Sequence, residues 1–260
     1  MSAPFRILLL AGTREARQLA QRLSTIIDIE VTASLAGVTR DPTSYPVATR
    51  FGGFGGADGL ARYVKDEGFD LILNASHPFA RVMCANAADA AVATQTPLVR
   101  LLREPWRPGA GDQWLEVPNM AEAVAALPEG ARVLFATGRG SVEQIAAAAP
   151  GDDIWAAIRL IDQSNQPFPL KQGEFIEARP PFSTEQETEL MQHLEITHLV
   201  TKNAGGKSGM AKLEAARKLG IEVIMIQRPS QPDDQITMAT LPDVLDKVFD
   251  LMSQSGPDKA

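Results

Sequence analysis

The chain has 260 residues, enough for one large domain or two modest ones with real cores. Its 45% hydrophobic and 22% charged content is ordinary for a globular protein, and no apolar run is long enough to span a bilayer. Net charge is −7, the single cysteine excludes an internal disulfide, and three scattered histidines give no basis for a structural zinc site.

The chain opens on Ser2, Ala3 and Pro4 and runs straight into an apolar strand, Ile7 to Leu10, so no signal peptide is expected. With one cysteine, this points to a reducing cytoplasm. Gly12 and Thr13 then make a tight turn. Ala16, Leu19, Ala20 and Leu23 follow at helical spacing, with Arg14, Arg17 and Arg22 on the opposite face. A strand feeding a helix through a glycine turn aims backbone N–H groups and the positive helix end at one spot, which suits a phosphate. The stretch lacks the further glycines of a full dinucleotide fingerprint, so a plain strand and helix remains the other reading.

Ile29 to Leu35 reads as the second strand. It ends in Ser34, with Gly37 and Arg40 following and no acid before Asp41. In dinucleotide folds an acid here holds the ribose 2′-hydroxyl of NAD; in such a fold Ser34, free amides and Arg40 would accept a 2′-phosphate instead, the alternative being a polar loop with an ordinary surface arginine. Val47 to Phe51 is a short strand opening into Gly52-Gly-Phe-Gly-Gly56, whose glycines, Gly55 among them, permit close approach of a ligand or simply make a mobile loop, with Asp58 expected as a helix N-cap. Asp70 to Asn74 is a strand. Ser76 and His77 follow it, with Pro78 expected in the first turn of a helix to Ala93. That would place Ser76 and His77 at a helix N-terminus beside the carboxyl end of a parallel strand, where ligands gather. Pro97 to Leu102 gives another strand.

Arg103 to Gly111, rich in Pro and Gly, reads as a linker, so domains are expected at 1–108 and 109–260, with the final helix free to pack on the first. Residues 1–108 hold 12 Lys+Arg against 10 Asp+Glu, or +2, and residues 109–260 hold 13 against 22, or −9. That speaks against a nucleic-acid surface on the second half. There, Asn119 is expected to cap a helix to Leu127, Val133 to Ala136 is a strand, and Thr137-Gly-Arg-Gly-Ser141 leads to a helix capped by Ser141. Ile154 to Ile161 is a strand, residues 162–181 a long loop, and Ser183 or Thr184 starts a helix to Leu194. Thr197 to Thr201 is a strand, followed by Lys202-Asn-Ala-Gly-Gly206 and a helix to Leu219. Ile221 to Ile226 is the last clear strand before a helix opened by Thr240. Alternating strands and helices make two α/β sets with parallel sheets.

Gly206-Lys-Ser208 is not a P-loop, because the first glycine of that motif is replaced by Thr201. What remains is a pair of strand-to-helix turns carrying cations on an acidic domain. Arg139, Lys202, Asn203 and the amides of Gly205 and Gly206 suit several carboxylates, a solvated lysine-rich loop being the alternative.

Taken in order, Leu10-Ala-Gly-Thr-Arg-Glu-Ala16, Ser34-Leu-Ala-Gly37, Gly52 to Gly56, Ala75-Ser-His-Pro-Phe-Ala80, Thr137-Gly-Arg139 and Thr201 to Gly206 resemble the precorrin-6A reductases of cobalamin biosynthesis over nearly the whole chain. Val38 stands where an arginine follows Ala-Gly in many relatives, with Arg40 as the substitute. The resemblance implies two Rossmann-like domains with a cleft between them, NADPH on the first, and reduction of one C=C bond of a tetrapyrrole. It needs no metal, nucleic acid or membrane, and it admits hand-over contacts with neighbouring pathway enzymes. It places pyrophosphate at Gly12, Thr13 and Arg14, the 2′-phosphate at Ser34 and Arg40, and nicotinamide or its ribose at Ser76 and His77. Substrate carboxylates fall to Arg139, Lys202, Asn203, Gly205 and Gly206, with His77, Lys202 or water as proton donor. The alternatives are an NADPH reductase of another polyanionic or quinone-like substrate, a non-catalytic NADP sensor, and a tetrapyrrole lyase or synthase working without nicotinamide.

Overall fold

The computed structural model describes residues 3–36, 44–148, 153–232 and 235–255. Its first elements are β1 (Phe5–Leu10), α1 (Arg14–Leu23), β2 (Ile29–Leu35), β3 (Ala48–Phe51), α2 (Ala57–Glu67), β4 (Leu71–Asn74), α3 (Arg81–Thr94) and β5 (Leu98–Leu101). Then come β6 (Trp114–Val117), α4 (Met120–Ala125), β7 (Arg132–Ala136), α5 (Val142–Ala147), β8 (Trp155–Leu160) and β9 (Gly173–Glu177). The chain closes with α6 (Thr184–His193), β10 (His198–Lys202), α7 (Met210–Leu219), β11 (Glu222–Ile226), β12 (Ile236–Met238) and α8 (Leu241–Gln254). These form two units, one of Met1–Glu104 with Ser230–Ala260, the other of Pro105–Pro229. The chain therefore crosses over at 104 and again at 229, and β12 and α8 return to the first unit.

Each unit holds a six-stranded sheet whose paired neighbours all run parallel. The orders are β3-β2-β1-β4-β5-β12 and β9-β8-β7-β10-β11-β6. Counting from β7, the second sheet repeats the order of the first. In each, the outermost place beside the fifth strand is filled from outside the regular run, by β12 in one and by β6 in the other. Both orders reverse direction once, between β1 and β4 and between β7 and β10. Ligands of open α/β sheets bind at such points, beyond the carboxyl ends of the strands.

The β1 strand shows why the first sheet has helices on both faces. Ile7 and Leu9 pack with Leu19 and Leu23 of α1 and Val244 and Val248 of α8. Leu8 and Leu10 point the other way, towards Leu60 and Val64 of α2 and Ala87 and Ala91 of α3. Side chains alternate across a strand, so a continuous apolar run is what a strand buried twice requires. Truncating one such leucine to alanine costs roughly 2–5 kcal/mol. In the second unit, Leu134, Leu199, Val223 and Met225 share a core with Met191 and Leu213.

Thr13, Asn119, Ser183 and Thr240 cap their helices as expected, Ser183 in a full capping box with Gln186. Three caps differ. Gly56, not Asp58, stands at the start of α2, so Asp58 lies in its first turn. The α3 helix begins at Arg81, because the Ala80 amide turns back on the His77 carbonyl at 2.8 Å; Pro78 precedes the helix. The Ser141 hydroxyl donates to the Thr137 carbonyl at 3.1 Å and caps nothing. Within the expected loop 162–181 runs β9, and Ile226 is not in the last strand, since β12 follows it.

Candidate functional site

The first reversal point lies beside the turn after β1. Gly12 has φ +110°, and a Cβ built on it would meet nothing within 4 Å, so the ground above the start of α1 is open. Among the described residues the Gly12 amide reaches only the Tyr45 hydroxyl, at a long 3.4 Å. Thr13 braces the turn twice: its hydroxyl accepts from the Ala16 amide at 3.0 Å and donates to the Ala75 carbonyl at 2.8 Å. Arg14 is exposed at the first helical position, and Glu15 is neutralised by Arg103. An open glycine turn at the start of α1 is an arrangement that suits an anion.

Across the reversal, the Asn74-Ala-Ser-His77 turn is held by a buried cation. Arg100 of β5 is fully buried and donates to the Asn74 carbonyl at 3.0 Å, the Asn74 Oδ1 at 2.9 Å and the Ser76 carbonyl at 3.0 Å. Burial pushes its pKa down. The Ser76 hydroxyl donates to Asn74 Oδ1 at 2.7 Å. His77 is exposed, and its Nδ1 accepts from the Phe79 amide at 3.2 Å. Ser76 and His77 therefore sit in a braced strand-to-helix turn rather than on a helix N-terminus.

Gly37 and Arg40 lie outside the described residues. Ser34 is described and buried. Its hydroxyl accepts from Arg50 Nη1 at 2.8 Å, a cation that sequence reasoning passed over. Only the parallel register Ser34↔Arg50 of β2 and β3 brings the two together. Gly55, at φ +80°, belongs to the loop that Arg50 holds.

The second reversal point is built from two matching turns. After β7, Gly138 has φ 77° and ψ 171°; after β10, Gly206 has φ 77° and ψ 170°. That region is essentially closed to residues with a Cβ. Each glycine leads into one 3₁₀ turn, Arg139–Ser141 or Lys207–Gly209, and then into α5 or α7. Arg139 and Lys207 thus hold equivalent places. Arg139 also donates through Nη2 to the Asp162 and Gln163 carbonyls at 2.6 and 2.8 Å. Lys202 ends β10, and its burial lowers its pKa.

The Asn203 side chain is bonded to the backbone of Trp106. Its Oδ1 accepts from the Trp106 amide at 2.8 Å, and its Nδ2 donates to the Trp106 carbonyl at 3.0 Å. The Trp106 indole N–H in turn donates to the Gly206 carbonyl at 2.7 Å. Asn203 therefore braces the Gly205–Gly206 turn from behind. Lys212 Nζ lies 4.8 Å from the Trp106 ring, and burial takes its pKa down to about 8, with Glu187 raising and Arg159 lowering it.

The family profile described as "Precorrin-6x reductase CbiJ/CobK" matches residues 6–248. The chain belongs to the precorrin-6x reductase family. Precorrin-6A reductase of Rhodobacter capsulatus is 44% identical over 241 residues, covering 92% of this chain and 94% of that one. That of Rhodococcus erythropolis is 45% identical over 228 residues, covering 87% and 90%. A solved structure titled "CobK precorrin-6A reductase" superposes with a TM-score of 0.89 at 42% identity, covering 95% and 96%. As a member of the precorrin-6x reductase family the chain is an oxidoreductase acting on a CH–CH bond in cobalamin biosynthesis, and a reductase of this kind implies a nicotinamide cofactor. Among the described residues no helix is long and apolar enough to cross a membrane, and no cluster of His, Cys, Asp or Glu is arranged for a metal.

Proposed function

We propose that this chain reduces one C=C bond of the precorrin-6A macrocycle with NADPH. The observation that carries the proposal is the pair of reversal points. One has an open glycine turn at a helix start, and the other has twin glycine turns each followed by a cation. The bound coenzyme supplies the hydride. The chain's residues bind and orient. Gly12, Thr13 and Arg14 hold the pyrophosphate, Ser34 with Gly37 and Arg40 lines the 2′-phosphate end, Gly55 allows close approach, and Ser76 and His77 border the nicotinamide ribose. The acetate and propionate arms of the macrocycle fall to Arg139, Lys202 and the Gly205–Gly206 amides, with Asn203 bracing that turn. Holding donor and acceptor at roughly 3–3.5 Å supplies much of the rate. His77 or Lys202 delivers the balancing proton, unless water does. The setting is the cytoplasm, in keeping with a single cysteine that is free and buried, and hand-over contacts with neighbouring pathway enzymes belong to the same picture.

The test has two stages. Titration is expected to give tight NADPH binding and much weaker NADH binding; no binding of either removes the reading. An absorbance assay with precorrin-6A and NADPH should then show turnover that Lys202→Ala reduces.

A further inference from the structure

The cation near the end of β3 is pre-set in an unusual way. Arg50 Nη1 donates to Ser34 Oγ at 2.8 Å and to the Gly52 carbonyl at 3.1 Å, and Nη2 donates to the Gly53 carbonyl at 3.1 Å. Its guanidinium lies 3.9 Å from the Phe54 ring centroid and 5.1 Å from that of Tyr63. No carboxylate neutralises it among the described residues, and it is only half-buried. A guanidinium has five N–H donors in a rigid plane, and these three bonds leave others for a ligand. Ser34 adds a second feature. It is 6% exposed, and because its oxygen accepts from Arg50, its own proton is free to point elsewhere; it meets no acceptor among the described residues.

A charged plane and an unspent hydroxyl proton, side by side at the carboxyl ends of β2 and β3, call for an anion with several acceptor oxygens. In a doubly wound sheet this place is one strand out from the strand that leads to the pyrophosphate turn, where the adenosine ribose lies. We infer that Arg50, with Ser34, reads the 2′-phosphate of the coenzyme and is the residue that sets NADPH above NADH. The inference rests on the coenzyme site proposed above. Its added content is that the selectivity belongs to Arg50, fixed by Ser34 and the Phe54 ring, rather than to Arg40.

The purely architectural alternative is that Arg50 only ties down the glycine-rich loop. Coenzyme discrimination separates the two, because a loop tether supports NADPH and NADH alike. Wild type, Arg50→Gln, Arg50→Lys, Ser34→Ala and Arg40→Gln are titrated with NADPH and NADH by coenzyme fluorescence, and with 2′,5′-ADP by calorimetry. Arg50→Gln is expected to raise the Kd for NADPH roughly 10- to 100-fold, the scale of a lost charged hydrogen bond. Its Kd for NADH should stay within about twofold and its 2′,5′-ADP binding should vanish, as befits loss of a phosphate contact alone. Arg50→Lys should fall between, since it keeps the charge without the plane. If Arg50→Gln does not fold, Ser34→Ala decides, with an expected loss of roughly 3- to 10-fold confined to NADPH and 2′,5′-ADP. An unchanged NADPH-to-NADH ratio in the variant that decides, an equal loss of both coenzymes, or selectivity lost in Arg40→Gln alone overturns the inference. A wild-type chain that binds neither coenzyme, or both equally, overturns the coenzyme reading itself.

Discussion

Asn203→Ala tests how the second reversal point is built. The side chain makes two hydrogen bonds to the backbone of Trp106, at 2.8 and 3.0 Å, and both residues are buried. Truncation leaves the Trp106 N–H and C=O without their partners, at roughly 1–3 kcal/mol for each orphaned group. Partial access of water to the opened space lowers the sum, so the expected loss is roughly 2–4 kcal/mol. That is a large fraction of a typical domain stability of about 5–15 kcal/mol. Trp106 also holds the Gly206 carbonyl at 2.7 Å, so the damage should spread to the glycine turn and not to the first unit. Urea unfolding measures the loss, and hydrogen exchange locates it: the amides of Trp106 and of residues 203–207 should lose protection while those of β1 and β4 keep theirs. NADPH affinity should be unchanged. Wild-type stability with wild-type protection of the glycine turn would refute the bracing role.

Other outcomes follow from the same geometry. Gly206→Ala and Gly138→Ala each force a Cβ into a conformation that costs of order 1–3 kcal/mol, and both should raise KM for the macrocycle without changing Kd for NADPH, read by steady-state kinetics and titration. Arg100→Met orphans the Asn74 and Ser76 carbonyls and should destabilise the chain by roughly 2–4 kcal/mol in a urea melt. Lys212 has a folded pKa of about 8 against an ordinary 10.5, so between those values the unfolded chain holds a proton that the folded chain has lost, and stability rises with pH across that window. The full rise is ~3 kcal/mol. Lys212→Met should abolish it, while below pH 8 the variant's pH slope should match that of wild type.

The central strands of both sheets were legible in the sequence, and among the edge strands only β3 was. Central strands such as β1 and β4 carry apolar runs, Ile7 to Leu10 and Leu71 to Leu73, because both faces are covered, and the more mixed Ile29–Leu35 matches its expected range. The strands that escaped, β6, β9 and β12, sit at sheet edges with few buried side chains, so they carry no apolar run. The glycine turns were legible because their residues are contiguous. Arg50, Arg100 and the Asn203–Trp106 bracket were not, because each depends on a partner brought in by strand pairing or by a contact across 97 positions. Arg100 did leave one trace, a lone charge inside the apolar strand Leu98–Leu101. Two expected positions, Gly37 and Arg40, lie outside the described residues.

A crystal structure of the chain grown with NADPH decides whether the turn after β1 is the coenzyme site. The pyrophosphate is expected against the Gly12, Thr13 and Arg14 amides, with the adenosine end towards β2 and β3. Coenzyme density anywhere else on the molecule would contradict that placement.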